Sequence, residues 1–392
     1  MHRKRSNFAS LKIARGFGGR AQIEGLFTLI YRSGSIIARS MRQICRFGLN
    51  EMAQPNTLDE VSALTHAGSL LSADGEIVAP YDLEVADALT SGFRPLPAVL
   101  NAGIAAFACD YASQRNLHVI NGMGVTLGDS IIGLTALFAI RKRHPSLGIT
   151  LYRPARAPRY VQRLYELAAP ALGTMVDLPV ALDSLPQGDL KIDIGNHLFW
   201  PAFATLPMID FFLWALGVAP SDIPSDDKRN RWLETLPLPE SEQGSYVLFC
   251  PNATTPVRSI PPSMHARLVD RLWREFGVPV AGFAKVDHPH YTDVASLAPD
   301  TADFLAWIKH ARYVVTSDTA ALHVAAGFDV PTTGFFTTIP PSMRARDYAN
   351  CHAVSVPLPG LDGIQASARS TDLQALERAY TTLLSRDFSL AP

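Results

Sequence analysis

The run Tyr313-Val314-Val315-Thr316-Ser317-Asp318-Thr319-Ala320-Ala321-Leu322-His323-Val324-Ala325-Ala326 constrains the fold more than any other stretch. Its first residues are aromatic and β-branched, the pattern of a buried strand. A short polar turn follows, then a helix of mostly small residues that Ser317 or Asp318 can cap by accepting its first free N–H groups. Thr319 and His323 are four apart and share one helical face near the N-terminus. That terminus carries free donors and partial positive charge, which suits an anion such as a diphosphate. Open α/β sheets bind ligands at the carboxyl ends of their strands, where this pocket floor would stand. The same residues also read as a capped helix whose histidine is satisfied in the core.

A second strand–turn–helix lies upstream. Leu117-His118-Val119-Ile120-Asn121 reads as a strand, and Gly122-Met123-Gly124-Val125-Thr126-Leu127-Gly128-Asp129 as a glycine-rich turn. Residues 130–143 carry apolar side chains at helical spacing and end in Arg141-Lys142-Arg143-His144-Pro145. Basic residues complement a helix C-terminus and proline stops the helix. With the strand Ile149-Thr150-Leu151-Tyr152, this completes a βαβ unit. A dinucleotide fingerprint fits poorly. Leu127 stands where the third glycine belongs, and Arg153 replaces the acidic residue that would hold a ribose. What remains is Asp129 at the mouth of the turn, which can serve as a general base or as part of the helix cap.

These segments resemble glycosyltransferase family 9, the ADP-heptose:lipopolysaccharide heptosyltransferases. The first motif is Val125-Thr126-Leu127-Gly128-Asp129 with its helix, and the last is Asp318-Thr319-Ala320-Ala321-Leu322-His323. Between them, Tyr246-Val247-Leu248-Phe249-Cys250 leads into a loop bearing Arg258 ahead of a proline-led helix, and residues 207–218 match the helix closing the first half. The likeness spans roughly residues 117–385. The chain departs from the family at Ala320, where the family has glycine, and at Thr337-Thr338, where a different turn is usual.

The resemblance implies an α/β protein of GT-B type: two Rossmann-like, doubly wound domains facing a cleft, with a small N-terminal appendage. The expected boundaries are a basic, disordered leader at 1–51, an appended domain at 52–116, an acceptor-side domain at 117–225 and a nucleotide-sugar domain at 226–392. The final helix is expected to pack back on the first domain. The implied activity is inverting, metal-independent transfer of heptose from ADP-heptose to a glycan or lipopolysaccharide-type hydroxyl. A protein (adhesin) acceptor is the alternative, and an inactive sugar-nucleotide binding module or a nicotinamide oxidoreductase are competing readings. Asp129 is the expected base, and Arg258, Thr319, Ala320 and His323 the expected holders of the diphosphate. Asp318 would cap the helix or hold a donor hydroxyl, and Thr126 would line the opposite wall. Asp287, with Lys285, follows the strand that in the family leads to a ribose contact. No cofactor, metal or nucleic acid is expected.

Cys45, Cys109, Cys250 and Cys351 are scattered with no C-x-x-C pair, which argues against a zinc site or disulfide framework and for a reducing compartment. His288-Pro289-His290 after Asp287 reads as surface rather than a metal site. The first 51 residues hold ten Lys or Arg against Glu24 and Glu51, leaving a balance of −9 in the remainder. The apolar run at 25–31 is too short to span a bilayer. The leader is a basic tail, a transit-like segment, sequence upstream of a start at Met52, or a peripheral anchor to an anionic inner-membrane face of a cytoplasmic protein. A hairpin is expected across Asp74-Gly75, and a helix over residues 98–112.

Overall fold

Two buried apolar strand sets organise separate parallel sheets, and a third, antiparallel sheet is built onto the first. The computed structural model describes residues 57–87, 92–240, 244–385 and 390. The expectations for residues 1–51 lie outside that range. The described chain opens with α1 (Glu60–Thr65), β1 (Leu70–Leu71), β2 (Glu76–Val78), α2 (Pro80–Ala86) and β3 (Arg94–Pro95). β1 and β2 form the expected hairpin, Leu71 opposite Ile77, with Gly75 at φ 81° closing the turn. Only glycine takes that backbone conformation at little cost.

The first parallel unit comprises β4 (Asn116–Ile120), α3 (Leu127–Arg143), β5 (Gly148–Pro154), α4 (Arg159–Leu172), β6 (Thr174–Leu178), β7 (Val180–Ala181), β8 (Leu190–Asp193), α5 (Pro201–Thr205) and α6 (Met208–Ala215). Its sheet runs β6-β5-β4-β8, while β7 leaves it to pair antiparallel with β2. The segment before β4 therefore shares a sheet with the first domain instead of forming a domain of its own. Asp193, fully buried, reinforces the join. One carboxylate oxygen accepts the Ser69 N–H at 2.6 Å, and the other accepts Ser69 Oγ and the Gly195 N–H, each at 2.9 Å. The expected helix over 98–112 is absent. Its apolar residues serve the sheet edge instead: Leu100 bridges Ile192 in parallel, and Gly103 packs against the Trp200 ring where a Cβ would clash.

After a linker of 3₁₀ turns between residues 220 and 235, the second unit begins. It contains β9 (Val247–Cys250), α7 (Pro262–Phe276), β10 (Val280–Gly282), β11 (Tyr291–Asp293), α8 (Thr301–Lys309), β12 (Tyr313–Ser317), α9 (Ala320–Gly327), β13 (Thr332–Phe336), β14 (Cys351–Ser355) and α10 (Ser370–Leu384). The six strands are parallel in the order β11-β10-β9-β12-β13-β14. Counted within the unit this is the doubly wound order 3-2-1-4-5-6, and the first sheet follows 3-2-1-4. The chain is thus an α/β protein of two Rossmann-like units plus an N-terminal antiparallel sheet.

α3 is buried on nearly every side because it is sandwiched between its own sheet, α6 and α9 of the second unit. α4 meets α8 in the same way, and one apolar core runs through both units. α10, expected to return to the first unit, packs instead on the second. Leu376 and Tyr380 enter the core beneath Phe335, and Arg267 on α7 donates to the Leu384 carbonyl at 3.2 Å. Among the described residues no helix is long and apolar enough to cross a membrane.

Asp193→Ala takes the acceptor from four buried donors: two backbone N–H groups, the Ser69 hydroxyl and the Asn101 amide. It is expected to lower stability by about 2–4 kcal/mol in urea unfolding. A loss below about 0.5 kcal/mol would show that the antiparallel sheet is held some other way.

Candidate active site

β4 and β8 are neighbours in the first sheet although far apart in sequence, so a switch point opens at their carboxyl ends. The glycine turn after β4 lies there, with Asn121 at φ 50° and Gly124 at φ 87°. Thr126 is the N-cap of α3, and its Oγ1 accepts the Asp129 N–H at 3.4 Å. Asp129 therefore sits in the first helical turn with its side chain 15 % exposed. Arg153, the residue that spoils the dinucleotide fingerprint, is buried beneath this turn. Its guanidinium lies 3.2 Å from the Tyr165 ring centroid and 3.5 Å from the Gly122 and Gly124 carbonyls. Cation–π contact and backbone carbonyls replace the carboxylate such a buried cation would otherwise need.

In the second sheet the switch point falls between β9 and β12. α9 starts at Ala320 with Thr319 as N-cap, and among the described residues no side chain caps its first N–H groups. Asp318 is not the cap. It turns to Arg258, which donates from Nη1 to Oδ2 at 3.0 Å, and to Arg344, whose Nε lies 3.9 Å from Oδ1. Burial pushes the Asp318 carboxyl up, but Arg258 and Arg344 outweigh it and hold it below the usual range. Arg258 also donates to Thr254 Oγ1 at 3.1 Å, and Arg344 to Gln365 Oε1 at 3.3 Å. Two guanidiniums share one carboxylate, leaving net positive charge at a helix N-terminus. The Arg258 Nε and the Ser317 hydroxyl are buried without protein partners.

Burial drives the His323 imidazole down to about 4, so it is neutral at physiological pH. Asn230 donates to the Tyr348 hydroxyl at 2.9 Å, and that hydroxyl lies 2.9 Å from His323 Nδ1. Asn230 is itself oriented from the first unit, because its Oδ1 accepts Thr135 Oγ1 at 2.6 Å.

The two halves meet here. A Cβ placed on Gly128 would stand 3.4 Å from His323 Cδ2 and 3.9 Å from Ala320 Cα. Thr126, Asp129, Arg258, Asp318, Thr319, Ala320 and His323 thus surround one junction between two helix N-termini. Asp287 and Lys285 are exposed on the loop after β10, outside that hydrogen-bonded cluster. His290 stacks on Trp273 at 3.7 Å and His288 faces Asp270 at 3.8 Å. Among the described residues no group of three or more His, Cys, Asp or Glu is placed to hold a metal.

Sequence reasoning missed Arg344, Tyr348, Asn230 and His197. Only His197 left a signal, standing just beyond the strand at 190–193 where a doubly wound sheet presents ligand-binding residues.

No family model and no curated protein matches the chain. Among solved structures, a glycosyl transferase family 9 protein from Veillonella parvula is 15 % identical, with 71 % of this chain and 99 % of that one covered and a TM-score of 0.45. The E. coli ADP-heptose lps heptosyltransferase II is 14 % identical, with 69 % and 98 % covered and a TM-score of 0.42. A putative UDP-N-acetylglucosamine 2-epimerase from Listeria monocytogenes is 10 % identical, with 70 % and 89 % covered and a TM-score of 0.38. No residue role is transferred from these distant likenesses.

The neutral His323 has a stability consequence. Its folded pKa lies below the unfolded value of 6.5, so on acidification the unfolded chain binds the proton first. Its contribution is complete above pH 6.5 and is lost as pH falls towards about 4. Wild-type stability is expected to drop by up to about 3 kcal/mol across that window, with His323→Gln losing this part of the slope. Parallel stability–pH curves for the two proteins would contradict the assignment.

Proposed function

We propose that the chain is an inverting, metal-independent glycosyltransferase using a nucleotide-diphosphate sugar, with heptose from ADP-heptose as the donor. The acceptor is a hydroxyl on a glycan or lipopolysaccharide-type molecule. The observation that carries this reading is the apposition of a carboxylate, Asp129, to a cationic helix N-terminus in the facing unit. The two halves of a displacement need opposite equipment, a proton acceptor for the nucleophile and fixed positive charge for the leaving group.

In this reading the acceptor oxygen attacks the anomeric carbon on the face away from the diphosphate. The new C–O bond forms as the bond to the phosphate oxygen breaks, and the acceptor proton passes to Asp129. The departing diphosphate takes up the electron pair. Its growing charge is met by the free N–H groups at the start of α9, by Arg258 and Arg344, and by His323, which in this reading accepts from Tyr348 at Nδ1 and donates from Nε2. Because these groups are buried or half-buried and already held by Asp318, Gln365 and Tyr348, little reorganisation is needed as charge develops. The uncapped helix end supports a phosphate ligand over a merely structural turn.

Asp129→Ala is expected to cut transfer about a hundredfold to ten-thousandfold while leaving ADP affinity nearly intact. Turnover within threefold of wild type would remove Asp129 from the base role. An intact ADP site with no turnover by wild type on any sugar nucleotide would favour a binding module.

Arg258→Ala and His323→Ala should weaken ADP binding and slow transfer together. Each lost hydrogen bond to a charged phosphate is worth about 1.5–3 kcal/mol, roughly tenfold or more in Kd by calorimetry. Activity is expected to survive EDTA; unchanged ADP affinity in both variants would move the diphosphate elsewhere.

A further inference from the structure

His197 stands behind the proposed base and is used by nothing else at the junction. It occupies the 3₁₀ turn His197–Phe199 just after β8, on the first unit's own switch point. Its side chain is 4 % exposed, and its Nε2 is buried without a hydrogen-bond partner, 3.7 Å from Asp129 Oδ2. The rings of Phe203, Phe211 and Phe212 surround it with centroids at 5.0, 5.7 and 5.3 Å. On the remaining side, a Cβ on Gly124 would meet His197 Cε1 and Asp129 Cβ, each at 3.0 Å. The glycine turn thus lets the imidazole and the carboxylate approach each other closely.

A buried ring nitrogen with no partner is costly, and an aromatic box offers it none. The Asp129 carboxylate, 3.7 Å away, stands just beyond hydrogen-bond range. Unformed catalytic hydrogen bonds of this length commonly tighten when substrate fills a site. The charged and titratable groups around the pair are few. Asp129 faces His197 from α3, and His323 and Arg344 reach Asp129 electrostatically from the second unit. The surrounding rings of the first unit carry no titratable group.

Resting on Asp129 as the base, we infer that His197 is a positioning residue whose Nε2–H holds Asp129 Oδ2, leaving Oδ1 to take the acceptor proton. A donor on one carboxylate oxygen fixes the side chain's rotamer and favours its charged form. The pairing also explains why an imidazole occupies an otherwise apolar box. No proton leaves His197 in the cycle: the acceptor proton moves to Asp129 and from there to solvent with product release.

Two measurements on the full chain test this. Nitrogen-detected NMR reads the His197 imidazole, assigned by its loss in His197→Gln, in wild type and in Asp129→Asn. A protonated Nε2 in wild type, whose resonance moves when the facing carboxylate is replaced, is expected. An unprotonated Nε2, or a resonance that does not move, overturns the contact. In transfer assays His197→Leu is expected to lower kcat about tenfold or more, leave the donor KM within about twofold, and move the acid limb of the kcat–pH profile upward. His197→Gln, whose amide can donate to Oδ2, is expected to restore most of kcat. A lower Tm with an unmoved acid limb and no rescue by Gln would reduce His197 to packing and overturn the inference. So would His197→Leu at wild-type kcat beside an inactive Asp129→Ala. If Asp129→Ala itself turns over normally, the base assignment fails, and this inference with it.

Discussion

Two helix N-termini from different domains meet at Gly128 and Ala320, and the surrounding residues answer the positive potential this creates. Each end contributes about half a unit charge, so bringing two together is unfavourable unless anionic groups lie close by. Asp129 supplies one carboxylate in the first turn of α3. Asp318 supplies another beneath α9, but it is already shared between Arg258 and Arg344. The balance on the second unit stays positive, and on that balance rests the proposal of a diphosphate on that side and a base on the other.

The junction depends on how the halves are held. Thr135 on α3 orients Asn230, Asn230 orients Tyr348, and the Tyr348 hydroxyl hydrogen-bonds His323 Nδ1. A group in the first unit is thereby linked through hydrogen bonds to His323 of the second. Closer to the surface, Asp210 on α6 accepts Arg346 at 2.6 and 2.9 Å and Lys228 from the linker at 2.9 Å. Domain position and site chemistry are therefore coupled through buried hydrogen bonds as well as through apolar packing.

Much of this was legible in the sequence because the signals were local. β-branched runs marked β12 and β4, a glycine turn and a basic terminus bounded α3, and Asp74-Gly75 closed the hairpin. What failed had a nonlocal cause. Residues 98–112 have helical composition, yet β8 needed an edge partner and Trp200 needed the space at Gly103. Asp318 sits where a cap belongs, but two arginines from turns 60 residues before and 26 after it made ion pairing the stronger option. α10 followed its apolar side to the nearest uncovered core, which lies in its own unit. Arg344 and Tyr348 left no pattern because their roles exist only once β13 and α9 are side by side.

The central claim is that the positive side of this junction binds a diphosphate. Calorimetric titration of the full chain with ADP and with adenosine tests it directly. ADP is expected to bind one per chain and at least about tenfold more tightly than adenosine, since only ADP can use the helix end and its arginines. Equal affinities for the two, or no binding of ADP, would contradict it.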